Sequence, residues 1–366
     1  MTKCGLWLYT HALSKMAPAT EISLTLRPRS RIDFIRVSDL IREQLSPYRW
    51  SVYVSYHTTA GYLDPALAEH LRHDLRKVSA FVRTCHNLFP PGADYYHDRL
   101  QLRTELDDSA RHREPRNADA HLTYIGCGLS SCVTYPNRPE LPVYFVELDG
   151  VVPEGPRQRR TSIIGFNRSR RVERFSLSIP VSTHPIDSVN LKDPALGLFE
   201  RVEEEIRRQG IRHGRVDIVL EPGEVHAGLT VNEYETLLMQ HDLAEVLRNP
   251  VRYMAERGRH MLEDPWAIPR KFRGYAKFDF VQVLNRFLDS CHLSGTVVER
   301  VLQKFMAYPA ARFLRMKRSL SLPIAIGEGS DYGRIVAGRY QSPILIQWGR
   351  PERQRRRLQV ALVNFE

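Results

Sequence analysis

The chain has 366 residues, 42% hydrophobic and 26% charged, a balance that suits core-forming domains and excludes a disordered or collagen-like polymer. Net charge is +11, carried by 53 Lys and Arg of which only eight are Lys, and no apolar run nears the roughly 20 residues that a membrane-spanning helix needs. The five cysteines (Cys4, Cys85, Cys127, Cys132 and Cys291) are odd in number and form no C-x-x-C pair, which disfavours a disulfide framework and points to a reducing, cytoplasmic setting.

Lys3–Ala19 reads as a loose leader, with Met16 a candidate start. Thr20–Arg27 then alternate apolar and polar residues, as do 172–181, the signature of a half-buried strand. A helix is predicted after each, over Val37–Leu45 and Leu198–Gln209. The β-branched runs Ser51–Tyr56 and Arg215–Leu220 follow, ending at His57-Thr58-Thr59-Ala60-Gly61 and at Val225–Gly228. Asp64 can cap a further helix, Pro65 suits its first position, and Leu67, Leu71, Leu75 and Val78 give it an apolar stripe. In the second half Asn232 precedes a stripe through Leu237, Leu238 and Leu243. Both stretches carry a His-Asp-Leu triplet, at 73–75 and 241–243.

Apolar strands at Leu141–Asp149 and Ile344–Trp348 lead to basic clusters at Arg157–Arg160 and Arg353–Arg357, then to closing strands Thr161–Phe166 and Leu358–Phe365. One order of features written twice predicts an α+β fold of two tandem domains related by internal duplication. Their boundaries are 20–168 and 172–366. The middles differ: 85–116 read as a polar loop, whereas about 249–306 read as a helical insertion. There Phe280, Val283, Leu284 and Phe287 share one face, and Thr296–Glu299 forms a capping box.

Several groups could carry chemistry. His57, Thr58 and Thr59 stand where a strand ends and a helix starts, a junction that suits an anion and equally a simple capped turn. His97 lies in the polar loop. If Asn117, Asp119 and His121 are on a strand, they alternate onto one face, where they could orient a substrate, relay a proton or ligate a metal. Asn232 and Glu233 serve either a pocket or a helix N-cap. The arginine clusters are either solvated strand ends or a nucleic-acid surface. They lack interleaved aromatics for stacking, so nucleic acid is not expected as a partner.

At these residues the sequence resembles the YjbQ-like (secondary thiamine-phosphate synthase) family. The resemblance rests on His57–Gly61, His97, Asn117–Leu122, Glu147, Asp149-Gly150 and Gly155-Pro156-Arg157 over residues 20–166. It is weaker over 172–366, through Ala227–Glu233 and Gly338–Gln341. The first half lacks the family's Asn-Glu pair, and the second half has Glu224 where the leading His belongs and Gln347 where Glu belongs. Each half keeps part of what the other lost, which predicts one composite site per chain. The resemblance implies two YjbQ-like domains, a homo-oligomer, and an enzyme acting on a phosphorylated or otherwise anionic small molecule, either by C–N bond formation with pyrophosphate loss or by a derived biosynthetic reaction. It implies a divalent metal, Zn or Mg, with His57, His97 and His121 as ligands or proton carriers. Asp119 and Asp149 would orient them, Arg157 and the hydroxyls of Thr58 and Thr59 would bind the anion, and Asn117, Asn232, Glu233, Tyr340 and Gln341 would complete the pocket. The reading from another class is a non-catalytic binding protein, for a small molecule or nucleic acid, on a decayed enzyme scaffold.

Overall fold

The computed structural model describes residues 17–248 apart from 154, and residues 314–366 apart from 315, 328, 329, 350 and 352. The helical pattern at 249–306, Met16, Cys4 and Cys291 lie outside the described residues. The architecture is mixed α and β, with antiparallel sheets. Thr20–Leu26, Arg159–Phe166, Trp50–Ser55 and Cys132–Pro136 lie side by side in that order, and Ser169–Pro180, Arg355–Phe365, Gly214–Leu220, Ser319–Ile326 and Gly333–Ile335 form a second sheet. Alternation explains how each packs: in Gly214–Leu220 the side chains of Val216, Ile218 and Leu220 are buried while Arg215, Asp217 and Val219 face the other way.

Two three-stranded sheets accompany them. One orders Asp33–Arg36, Tyr144–Glu147 and Ala60–Tyr62; the other orders Asp187–Asn190, Ser342–Gln347 and Ala227–Asn232. The registers correspond. Ala60 lies opposite Glu147 and Ala227 opposite Gln347; Ser55 lies opposite Thr161 and Leu220 opposite Leu358. The halves meet through the outer faces of the large sheets, where Val52, Val54, Ile164 and Phe166 pack on Ala325, Val363 and Phe365. Phe166 and Phe365 stack with ring centroids 4.2 Å apart.

Some expected elements take another form. The stripe Leu67–Val78 is divided between helices Pro65–His70 and Leu75–Asn87. Arg72 and His73 break it in the left-handed region, at φ 56° and 49°. Asp74 then caps the second helix, accepting the N–H groups of Arg76 and Lys77. The loop predicted at 85–116 holds the last residues of that helix and a short helix Asp108–Arg113 capped by Asp107. Asn232 ends a strand instead of starting a helix; the chain winds through a wide turn, Leu238–Asp242, into Leu243–Arg248. No described helix is long and apolar enough to cross a membrane.

Candidate active site

The largest correction concerns Asn117–His121. Instead of a strand, Ala118–Gly126 is a fully buried helix that begins just after Asn117. Ala118, Ala120 and Leu122 favour helix, and the acid Asp119 in the first turn suits its positive end. On a helix Asn117 and His121 share a side, but Asp119, two residues from each, points elsewhere.

His121 Nδ1 lies 2.8 Å from Asn232 Oδ1, which also accepts the N–H of Glu233 at 2.8 Å. An amide oxygen can only accept, so His121 carries its proton on Nδ1 and turns Nε2 inward. His97 stands on the loop before this helix. Its Nδ1 lies 2.9 Å from Asp98 Oδ1, and Asp98 also accepts the N–H of Ala118. Asp242 fixes that loop from the second half by accepting the N–H groups of Tyr96 and His97 at 3.0 and 2.9 Å. The two rings sit with centroids 5.0 Å apart. Glu233 completes the group, with its oxygens 3.7 Å from His121 Nε2 and 3.9 Å from His97 Nε2. One ligand atom from each of these three residues lies within 4.8 Å of the others.

The electrostatics separate the two imidazoles. Burial works against charge on His97, but Asp98 and Glu233 outweigh it and raise its pKa to about 9. Burial lowers that of His121, with Glu233 opposing. Burial also penalises the Glu233 carboxylate, yet His121, His97 and Arg103 bring it down to about 2. Arg103 is buried against this group, with Nη1 3.4 Å from His97 Nε2, and is itself paired with Glu105 and Glu114 at 2.7 and 2.9 Å.

His57 does not join the cluster, contrary to its expected role as a metal ligand. Its Nε2 accepts the N–H of Arg160 at 2.9 Å, and burial together with Arg159, Arg160 and Arg157 lowers its pKa to about 4. Glu233 takes the third place in its stead. The rest of the His57 turn does reach the site: Thr58 Oγ1 donates to Glu233 at 3.1 Å, while Thr59 Oγ1 accepts from Arg159. Gln341 clamps the turn from the second half, donating to the carbonyls of Ser55 and His57 at 3.0 and 2.9 Å. Gly338 makes this close approach possible, because a Cβ there would lie 1.9 Å from the Tyr56 carbonyl oxygen. Tyr340, expected in the pocket, is 61% exposed and lies under Arg339 instead.

Asp119 is also outside the cluster. It is buried against Arg31, which donates to both its oxygens at 2.8 and 2.9 Å, with His86 3.8 Å away. Burial raises its pKa to about 6 despite Arg31. Asp149 accepts from Asn117 at 2.8 Å and from Arg157 at 3.0 Å through one oxygen. Asn117 Oδ1 and Asn232 Nδ2 are buried without a partner. Sequence reasoning missed Arg31, His86, Asp98 and Arg103. Only Asp98 had a visible signal, its place beside His97.

No protein-family model matches the sequence, and no curated protein matches it. Among solved structures the chain is similar to a YbjQ-like protein of unknown function from Sulfolobus solfataricus P2, with 15% identity over 54% of this chain and 99% of that one and a TM-score of 0.28. It is similar to a hypothetical protein from Aeropyrum pernix K1 (21% identity, 41% of this chain, 99% of that one, TM-score 0.26). It is also similar to an uncharacterized conserved protein of the yjbq family from Clostridium acetobutylicum (20% identity, 39% and 97%, TM-score 0.26). The chain thus resembles YbjQ-like proteins over about half its length at low identity.

Proposed function

We propose that this protein is an enzyme that holds a divalent metal ion on His97, His121 and Glu233 and acts on an anionic, phosphorylated small molecule. The observation that carries the reading is the convergence of three donor atoms within 4.8 Å. The donor chemistry fits: two imidazoles and a carboxylate are a ligand set used by catalytic metal sites. Asp98 and Asn232 hold the outer ring nitrogens, so each Nε2 is turned toward the centre of the cluster; at His97 an ion would take the place of the Arg103 guanidinium, whose Nη1 lies 3.4 Å from Nε2. Asp98, Glu233 and Asp242 supply negative charge, and Arg103 is offset by its own two carboxylates. A metal ion and a proton compete for the same nitrogen of His97, so binding releases the proton that the empty cluster keeps. Bound there, the ion would polarise a substrate oxygen or activate water. Arg31 and Arg157 would take the substrate's negative charge.

We also infer that the two halves descend from one unit. The matching strand orders and registers support this, and the cluster draws on both, taking His97 and His121 from one half and Glu233 from the other. The test is metal analysis of the purified chain. About one zinc, manganese or magnesium ion per chain is expected, lost in both His121→Ala and Glu233→Ala with far-UV circular dichroism unchanged. Removal by chelator should abolish turnover of phosphorylated small molecules, and the metal should restore it. Failure to bind any of the three metals in a titration would falsify the reading.

A further inference from the structure

Counting along the paired strands gives Arg159 a counterpart in the second half. Thr161 lies opposite Ser55, and Leu358 lies opposite Leu220; two residues earlier stand Arg159 and Arg356. Arg159 is neutralised where it sits, with Nε and Nη2 on the carboxylate of Glu147 at 2.5 and 2.8 Å. Arg356 has no carboxylate at that register position, because the residue opposite Ala227, where Glu147 stands opposite Ala60, is Gln347. Gln347 turns its amide N–H to the carbonyls of His184 and Ser182 at 2.7 and 3.4 Å. Arg356 is only 2% exposed. It donates to Glu224 at 3.2 Å and to the carbonyls of Val225 and Gly349, while its Nε is buried with no partner.

The Arg356 side chain lines a cavity of about 670 Å³ walled also by Arg353, Arg355, Arg357 and Glu224. Among the described residues, the guanidinium groups of Arg353 and Arg355 make no ion pair, while Arg357 reaches Glu221 at 3.2 Å. Among the described residues, four guanidiniums meet the carboxylates of Glu224, in the wall, and of Glu221, the partner of Arg357, and two positive charges are left over. Like charges crowded in one hollow repel, and an anion of about two negative charges removes the imbalance. A phosphate monoester carries about −1.5 to −2, and its oxygens match guanidinium forks. A hollow of this size suits a small ligand, and among the described residues its walls hold no aromatic ring on which nucleobases could stack.

We propose that this cavity binds a small phosphate-bearing molecule, at a site separate from the His97–His121–Glu233 cluster. Isothermal titration of inorganic phosphate and pyrophosphate into the whole protein, at constant ionic strength, tests it. Saturable binding is expected, weakened at least about tenfold in a double Arg353→Ala, Arg355→Ala variant, because each lost charge-assisted bond costs over about 1 kcal/mol. Both residues are exposed, so folding should be unaffected. Parent and double-variant cavities are compared in the His121→Ala background with chelator present, which removes the proposed metal, so that the loss reports this cavity alone. No saturable binding, or binding in that background that the double variant leaves undiminished, overturns the proposal. So does binding confined to oligonucleotides and growing with their length, since that would assign the charge to a nucleic-acid backbone.

Discussion

In the corner that holds His57, the backbone N–H of Arg160 donates to an imidazole nitrogen at 2.9 Å; in the corner that holds Glu224, the N–H of Arg357 donates to a carboxylate at 2.9 Å. The backbone arrangement is the same, and either acceptor satisfies it. What changes is the charge. The first corner buries a closed pair, Glu147 with Arg159, beside a neutral His57. The second replaces Glu147 by Gln347, leaves Arg356 partly unpaired and gains an acid at 224. A fold can thus keep a turn while exchanging its chemistry, provided that each backbone donor still finds an oxygen or nitrogen.

The largest effect should come from opening the closed pair. Glu147 is fully buried and also accepts the N–H groups of Leu148 and Asp149. Glu147→Ala strands the Arg159 charge and should cost about 3–5 kcal/mol. Gln347→Ala removes neutral hydrogen bonds and should cost about 1–3 kcal/mol, chiefly for carbonyls left without a donor. Urea unfolding of the two variants measures both. Equal losses would mean that the corners are held alike and would break the comparison.

The element order was legible because strand alternation and turn residues are local signals, as at Gly214–Leu220 and Asp64-Pro65. Site membership was legible only in part: His97, His121 and Glu233 were named, but His57 and Asp119 were grouped with them. Asn117, Asp119 and His121 fit a strand face as well as a helix; burial among other elements decides between them, and no window of sequence contains that. Arg31 and His86 gather on Asp119 from 88 and 33 residues away along the chain. The repeated triplet takes two roles. Asp74 caps its own helix, whereas Asp242 reaches across to the His97 loop. Identical letters acquired different work because a different surface lies beside each.

The protonated His97 gives the next effect. Its pKa rises from an unperturbed 6.5 to about 9, so in metal-free protein its contribution is fully present below pH 6.5 and is lost as pH climbs through 9. The shift corresponds to at most about 3 kcal/mol. His97→Gln cannot take up that proton. The stability gap between parent and variant, measured by urea unfolding in chelator, should therefore be wider at about pH 6 than at about pH 9.5. A gap that stays constant or widens with alkalinity would show that Asp98 and Glu233 do not hold a charged ring.

The finest comparison sets two neighbouring residues, Gln341 and Tyr340, against each other. Gln341 is 3% exposed and ties Ser55 and His57 of the first half to Gly338 of the second. Gln341→Ala leaves two buried carbonyls and one N–H without partners and should cost about 1–3 kcal/mol. It also frees the turn that sends Thr58 to Glu233, so metal affinity should fall with stability, by up to about tenfold for a supporting contact of this kind. Tyr340 lies outside that web, with its exposed ring under the Arg339 guanidinium. Tyr340→Ala should change stability by less than about 0.5 kcal/mol and leave metal affinity as it was. Thermal unfolding with and without added metal reads both variants. If Tyr340→Ala weakened metal binding while Gln341→Ala did not, the exposed ring would belong to the site, and the clamp across the two halves would be no more than packing.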